Sequence, residues 1–296
     1  MQLPFDQSDI HDPGGLGAVD TDGSPAPPRR LSPSGAATFD QCPRRWRFRY
    51  VERLPDPPGR EALVGTFAHR VLEILMQQHP RRRGKDEARR IARQAWPEMA
   101  GSDDYRELEL DEAAAREFRW AAWAAVEGLW DLEEPSEVEV VSTEQQVSVT
   151  LGGVPFRGVV DRVDAADDGL VISDYKSGRA PSPRHAAGRL QQVLLYAAAI
   201  AEESGEQPVR AQLLYLGQKT VSTAVDAAEL DGAVGQFTET WGAIADSCRD
   251  DDFEPRPGPL CCYCAYSSHC PEGLAEKNLR DELRAAEEQS LLRMAG

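Results

Sequence analysis

The spacing of apolar positions changes along the chain, and the changes mark the elements. From 61 to 79, EALVGTFAHRVLEILMQQH places apolar residues at i, i+3, i+4 and i+7, which predicts an amphipathic helix. Another helix is expected over Asp86–Trp96. A long one is expected from about Asp103 to Leu132, with Trp120, Trp123 and Trp130 among alanines and facing a neighbouring helix. The period then falls to two. Strands are predicted at Glu137–Leu151 and Val154–Asp164, parted by a turn at Gly152-Gly153, and at Leu170–Lys176. A helix over 183–203, a hairpin of Val209–Gly217 with Lys219–Val225, a helix from about Ala227 to Cys248 and a charged helix from Glu272 follow. Near the start, Ser32-Pro33 reads as an N-cap and a first helical proline, and Cys42-Pro43 interrupts that helix.

The stretch 158–176 concentrates the candidate chemistry. It reads as two strands, GVVDRVD and LVISDYK, joined by a turn at Ala166–Gly169. Asp161 and Asp174 are equidistant from the centre of that turn, so they oppose one another and share a face, and Lys176 joins them two residues on. A turn shifted by one residue opposes Asp161 to Lys176 instead and keeps the cluster. One reading is an exposed, salt-bridged edge. The other is a site for a hard divalent cation, Mg²⁺ or Mn²⁺, which takes carboxylate oxygens and keeps positions for water and substrate phosphate. A lysine beside such a site can stabilise charge on the phosphate or position the attacking water. His69 shares a face with Leu72 and Met76 and is either a core residue or a third ligand. Glu144 is either a surface residue or an acid near the site. Arg189, Gln192 and Tyr196 recur at helical spacing on 183–203.

Charge and cysteine usage alter this picture. The formal net charge of −17 speaks against a polyanionic partner, yet residues 29–93 carry 16 basic against 7 acidic residues. There Arg44, Arg45, Arg47 and Arg49 interleave with Trp46, Phe48 and Tyr50, which suits aromatics turned to a core and arginines turned to phosphate. At 296 residues and 41% apolar, the chain can build one large domain or two small ones. No run of 18 apolar residues occurs, and MQLPFDQSDIHDPGG lacks the basic start and apolar middle of a signal peptide, so a cytoplasmic protein without membrane contact is expected. Residues 1–30, rich in Gly, Pro, Asp and Ser, read as a disordered tail. A cytosolic chain argues against disulfides among the six cysteines. Cys261, Cys264 and Cys270 form C-x2-C-x5-C, with Cys42 the candidate fourth thiolate far upstream and Cys248 and Cys262 spare. Zinc and iron–sulfur clusters both accept four thiolates. A zinc ribbon has two close pairs and Cys42 has no near partner, which leans toward a cluster.

Several of these stretches together resemble one family. LSPSGAATFDQCPRRWRFRYV looks like the opening of RecB-family nuclease domains of the PD-(D/E)XK superfamily. GTFAHRVLE is similar to their histidine motif, GVVDRVD and SDYKSG to their acidic and D-x-K motifs, and QQVLLYA to their Gln-x-x-x-Tyr motif. Val160 stands where the superfamily signature names proline. The distant-plus-clustered cysteines resemble the iron–sulfur members, the AddB-type and CRISPR-associated RecB-like nuclease domains. The resemblance implies an α/β restriction-endonuclease-like core, a mixed central sheet flanked by helices, with a helical insertion at about 80–135 and an iron–sulfur-clamped terminus. It places this nuclease domain over 31–275, its iron–sulfur loop at 261–270, and a helical tail over 276–296. It implies a [4Fe–4S] cluster on Cys42, Cys261, Cys264 and Cys270. His69, Asp161, Asp174 and the Tyr175 backbone carbonyl become Mg²⁺ or Mn²⁺ ligands, and Lys176 the catalytic lysine. Gln192 and Tyr196 become active-site residues near the substrate strand, with Arg44, Arg45 and Arg189 toward DNA. The implied activity is a metal-dependent DNA exonuclease acting on single-stranded ends in repair or recombination. The alternatives are a non-catalytic iron–sulfur DNA-binding module and an endonuclease on the same fold. No GxxxxGK[ST] loop occurs, so a helicase partner would be a separate chain.

Overall fold

The computed structural model describes residues 25–295. The tail expected over 1–30 lies largely outside them. In chain order, α1 (Pro33–Gln41), α2 (Pro43–Trp46) and a π-helical turn (Arg47–Val51) precede α3 (Arg60–Met76), α4 (Lys85–Gly101), α5 (Asp103–Glu107) and α6 (Glu112–Glu127). Strands β1 (Glu139–Leu151), β2 (Val154–Ala166) and β3 (Gly169–Lys176) follow, then α7 (Pro183–Ser204), β4 (Arg210–Tyr215) and β5 (Lys219–Ala224). Helices α8 (Ala227–Asp250) and α9 (Pro271–Ala295) come last, with two short 3₁₀ turns between them. The described residues fall into two compact units, 58–238 and 25–57 with 239–295.

The first unit is built on a mixed five-stranded sheet in the order β1-β2-β3-β4-β5. β1, β2 and β3 form an antiparallel meander, and β4 pairs antiparallel with β5. β3 and β4 run parallel, a pairing that needs a crossover, and α7 supplies it. The turn expected at Ala166–Gly169 closes the β2–β3 hairpin, with Ala166 opposite Gly169, whose φ of +139° suits glycine. This is the mixed α/β sheet flanked by helices of the restriction-endonuclease-like fold.

Strand alternation splits the site from the core. Tyr175 and Leu214 point into a cluster with Leu63, Phe67, Val71, Leu72 and Leu75 of α3, Ile91 of α4 and Phe118 of α6. Lys176 points the other way, toward Gln192 of α7. The single helix expected from Asp103 to Leu132 is instead α5, α6 and a 3₁₀ turn at Gly128–Asp131. The break is local: Glu109 takes φ +47°, and the Asp111 side chain accepts from the Ala114 N–H as the N-cap of α6.

In the second unit, the Ser32 hydroxyl accepts from the Gly35 N–H, and α1 ends at Gln41 before Pro43 opens α2, as the sequence predicts. Trp46 is fully buried against Phe39, Tyr50 and a stacked Phe253. Phe48 packs on Tyr266 beside Cys270. The aromatics therefore face the core. The arginines between them meet protein groups rather than projecting freely. Arg47 is paired with Glu52 and Asp251, Arg49 with Asp56, and Arg44 donates its Nε to the Phe253 carbonyl. Each of these guanidiniums therefore has at least one partner within the unit, and the Arg47 and Arg49 side chains stay part-exposed.

Candidate functional site

Three neighbouring strands deliver the acids. The β2–β3 register, with Arg162 opposite Ser173, sets Asp161 against Asp174 as the next pair. On the other side, Thr143 opposes Arg162 and Gln145 opposes Val160, which brings Glu144 to Asp161. Glu144, Asp161 and Asp174 thus form one row across β1, β2 and β3. Asp161 and Asp174 stand on the interior strands β2 and β3, and the Asp174 side chain is only 3% exposed, so the reading of an exposed edge does not hold for them. Glu144 was legible from the same midpoint count applied to the Gly152-Gly153 turn.

α3 brings His69 to this row. Its Nδ1 lies 3.3 Å from Asp161 Oδ2, and its Nε2 lies 2.9 Å from the Tyr175 carbonyl oxygen. The Tyr175 N–H donates to Asp161 Oδ2 at 2.8 Å. The ring is therefore oriented by site groups, not enclosed in the apolar stripe with Leu72 and Met76. One ligand atom each from His69, Glu144 and Asp161 lies within 4.8 Å of the other two. A neutral imidazole has one N–H, yet both nitrogens here face oxygen acceptors. A bound cation would relieve that mismatch, and the carboxylate oxygens suit a hard divalent ion. Asp174 stands beside this trio and takes Lys176 Nζ at 2.7 Å.

Electrostatics mark the same place. Burial, then repulsion from Asp161, raises Asp174 to about 6 against its pull toward Lys176. Burial and repulsion from Asp161, Glu73 and Asp174 push Glu144 up to about 8. For Lys176 burial opposes the charge, but the charge and hydrogen bond of Asp174 outweigh it and hold the ammonium above its ordinary range. Closely spaced acids whose charges resist one another are what a cation would stabilise.

α7 completes the arrangement. Lys176 Nζ donates to Gln192 Oε1 at 3.1 Å, and Gln192 Nε2 donates to the Tyr196 hydroxyl at 3.1 Å. Gly158 makes room for that tyrosine, since a Cβ there would sit 2.6 Å from the ring. Arg189, exposed near the start of α7, is close enough to Tyr215 to act on its phenol.

A second feature lies in the other unit. Cys42, Cys261, Cys264 and Cys270 line one cavity, together with Arg44, Arg45 and Arg256. The Arg256 N–H reaches Cys42 Sγ at 3.4 Å, and the Gly273 N–H reaches Cys270 Sγ at 3.3 Å. A Cβ on Gly273 would lie 3.3 Å from Cys270 Sγ and 3.8 Å from Cys261 Sγ. Burial raises Cys264 and Cys270. Cys248 is buried away from this cavity and pushed up to about 11.

The PD-(D/E)XK nuclease superfamily profile matches residues 30–271, so the chain belongs to that superfamily, a class of phosphodiester hydrolases. Among solved structures it is similar to a "Putative exonuclease" from Eubacterium rectale. The identity is 12% over 90% of this chain and 93% of that one, with a TM-score of 0.45. It is also similar to SSO0001, at 16% identity over 71% and 94% of the two chains, with a TM-score of 0.29. No curated protein matches it. Among the described residues, no helix is long and apolar enough to cross a membrane.

Proposed function

We propose that the protein is a Mg²⁺- or Mn²⁺-dependent deoxyribonuclease that shortens DNA from its ends, acting on single strands in repair or recombination. The observation that carries the reading is the convergence of His69, Asp161 and the Tyr175 carbonyl beside a buried Asp174 paired with the half-buried Lys176. His69, Asp161, Asp174 and the Tyr175 carbonyl would hold the cation, with Glu144 in reach. A divalent cation there supplies Lewis-acid polarisation of a phosphoryl oxygen and acidifies water. Lys176, paired with Asp174 at 2.7 Å, stabilises negative charge on the scissile phosphate and helps orient or activate the attacking water. Gln192 fixes the direction of that ammonium, and Tyr196 fixes which way the Gln192 amide points. Preference for ends over internal bonds rests on the five motifs that resemble RecB-family domains.

A [4Fe–4S] cluster would be held by Cys42, Cys261, Cys264 and Cys270, which line one cavity. Backbone N–H groups reach two of the sulfurs, and arginines line the space, both of which favour thiolates.

The test is incubation of the full chain with end-labelled single- and double-stranded DNA and with closed circular DNA, with Mn²⁺ and with EDTA. The reading expects Mn²⁺-dependent loss of ended DNA and survival of circles. Asp174→Ala and Lys176→Ala should each abolish cleavage, by roughly a hundredfold or more, without loss of fold. Cleaved circles would make it an endonuclease, and near-normal activity in either variant would sink the assigned site.

A further inference from the structure

The alternation that turns Asp174 and Lys176 to one face of the sheet turns Arg162, Asp164, Ser173 and Tyr175 to the other. That reverse face holds a buried polar network. Arg162 is 1% exposed, and its two terminal nitrogens grip Glu133 as a fork, at 2.5 and 2.9 Å. Its Nε donates to Asp164 at 2.9 Å, and Nη1 also donates to the Tyr175 hydroxyl at 2.8 Å. The Ser173 hydroxyl donates to Asp164 at 3.0 Å, and Gln212 Nε2 donates to Ser173 at 2.9 Å.

Such a network is a poor means of packing. Apolar side chains of similar volume often hold a core as well or better than a buried ion pair. What it touches gives it a purpose. Tyr175 is gripped at its ring end by Arg162, while its backbone N–H binds Asp161 and its carbonyl faces His69. Glu133 does not come from the hairpin. It follows the 3₁₀ turn at Gly128–Asp131, whose Gly128 carbonyl accepts the Gly217 N–H at 3.0 Å. A Cβ on Gly128 would lie 2.3 Å from that same nitrogen, so this support is fixed by direct backbone contact.

We infer that Glu133 and Arg162 are positioning residues: through the Tyr175 hydroxyl they set the backbone carbonyl that completes the cation site, and so they set metal affinity from the far side of the sheet. The inference rests on the metal-site reading above. Partners of this kind, one step removed from the ligands, change affinity by roughly 10–100-fold when lost.

The test is direct Mn²⁺ titration of the full chain by electron paramagnetic resonance, beside cleavage of end-labelled DNA across a Mn²⁺ series and thermal melts in EDTA. Tyr175→Phe removes only the hydroxyl, and Glu133→Gln keeps the shape but weakens the fork. Arg162→Lys is the harsher third variant. Each of the first two should bind Mn²⁺ about tenfold more weakly, with the Mn²⁺ needed for half-maximal cleavage shifted more than the maximal rate. Unchanged Mn²⁺ titrations in both, even with lower melting temperatures, would overturn the inference and leave the network purely structural. A parent chain that neither binds Mn²⁺ nor cleaves would remove the metal-site reading and this inference with it. A parent that does both, with variants that titrate like it, would remove the inference alone.

Discussion

Glu144 is the most informative single residue. It has φ +47°, a left-handed conformation that costs a non-glycine residue about 1–2 kcal/mol, and its half-buried carboxyl is raised to about 8. Two consequences can be measured. Its folded pKa lies above its ordinary 4.5, so its stabilising contribution is complete below that value and is lost as pH rises through about 8. Metal-free protein should therefore lose stability between about pH 5 and 8 in thermal melts with EDTA, and Glu144→Gln should flatten that slope. Mn²⁺ affinity should run the opposite way, rising with pH over the same window, because the cation must displace the proton. Glu144→Gly should make the metal-free protein more stable, by about 1 kcal/mol, while weakening Mn²⁺ binding. Equal metal affinity in Glu144→Gly and the parent would exclude Glu144 from the site.

At the scale of elements, the β2–β3 hairpin and α7 act as one device, and Gly158 is its joint. Gly158→Ala would drive a methyl group into the Tyr196 ring, costing about 1–3 kcal/mol. It should also slow cleavage, because Tyr196 holds Gln192 and Gln192 holds Lys176. Normal cleavage in a destabilised Gly158→Ala protein would cut that chain of contacts. The hairpin was legible beforehand because its pairing is local: a glycine-bearing turn fixes the register, and the register fixes which carboxylates meet. What lay hidden was non-local. The buried role of Arg162 depends on Glu133, which lies outside the hairpin. The pairing of Arg47 with Asp251 was hidden in the same way, because Asp251 belongs to the far end of the chain. The break at Glu109 was missed for another reason. The apolar period continues through it, and only a cap and one backbone angle reveal it.

For the whole molecule, the cysteines allow the sharpest test. Anaerobically purified protein should be brown. Changing Cys42, Cys261, Cys264 or Cys270 to Ser should bleach it and lower its melting temperature steeply, since metal binding of this kind is folding free energy. Cys248→Ser and Cys262→Ser should keep the colour. A colourless protein with about one zinc per chain would replace the cluster with a mononuclear site. Colour that survives Cys42→Ser would remove the upstream thiolate from the set.

The second unit is assembled from two stretches of chain, and all of 58–238 lies between them. During synthesis at roughly 5–20 residues per second, Cys42 emerges some ten to forty seconds before Cys261. The sheet and its acids can close meanwhile, because their pairings are nearly all between sequence neighbours. The aromatic core around Trp46 has to wait for Phe253, and a cluster would have to wait for Cys270. The nuclease sheet would then be complete while the unit holding the cysteines is still half-made, so any supply of iron and sulfide must reach a chain that is already partly folded.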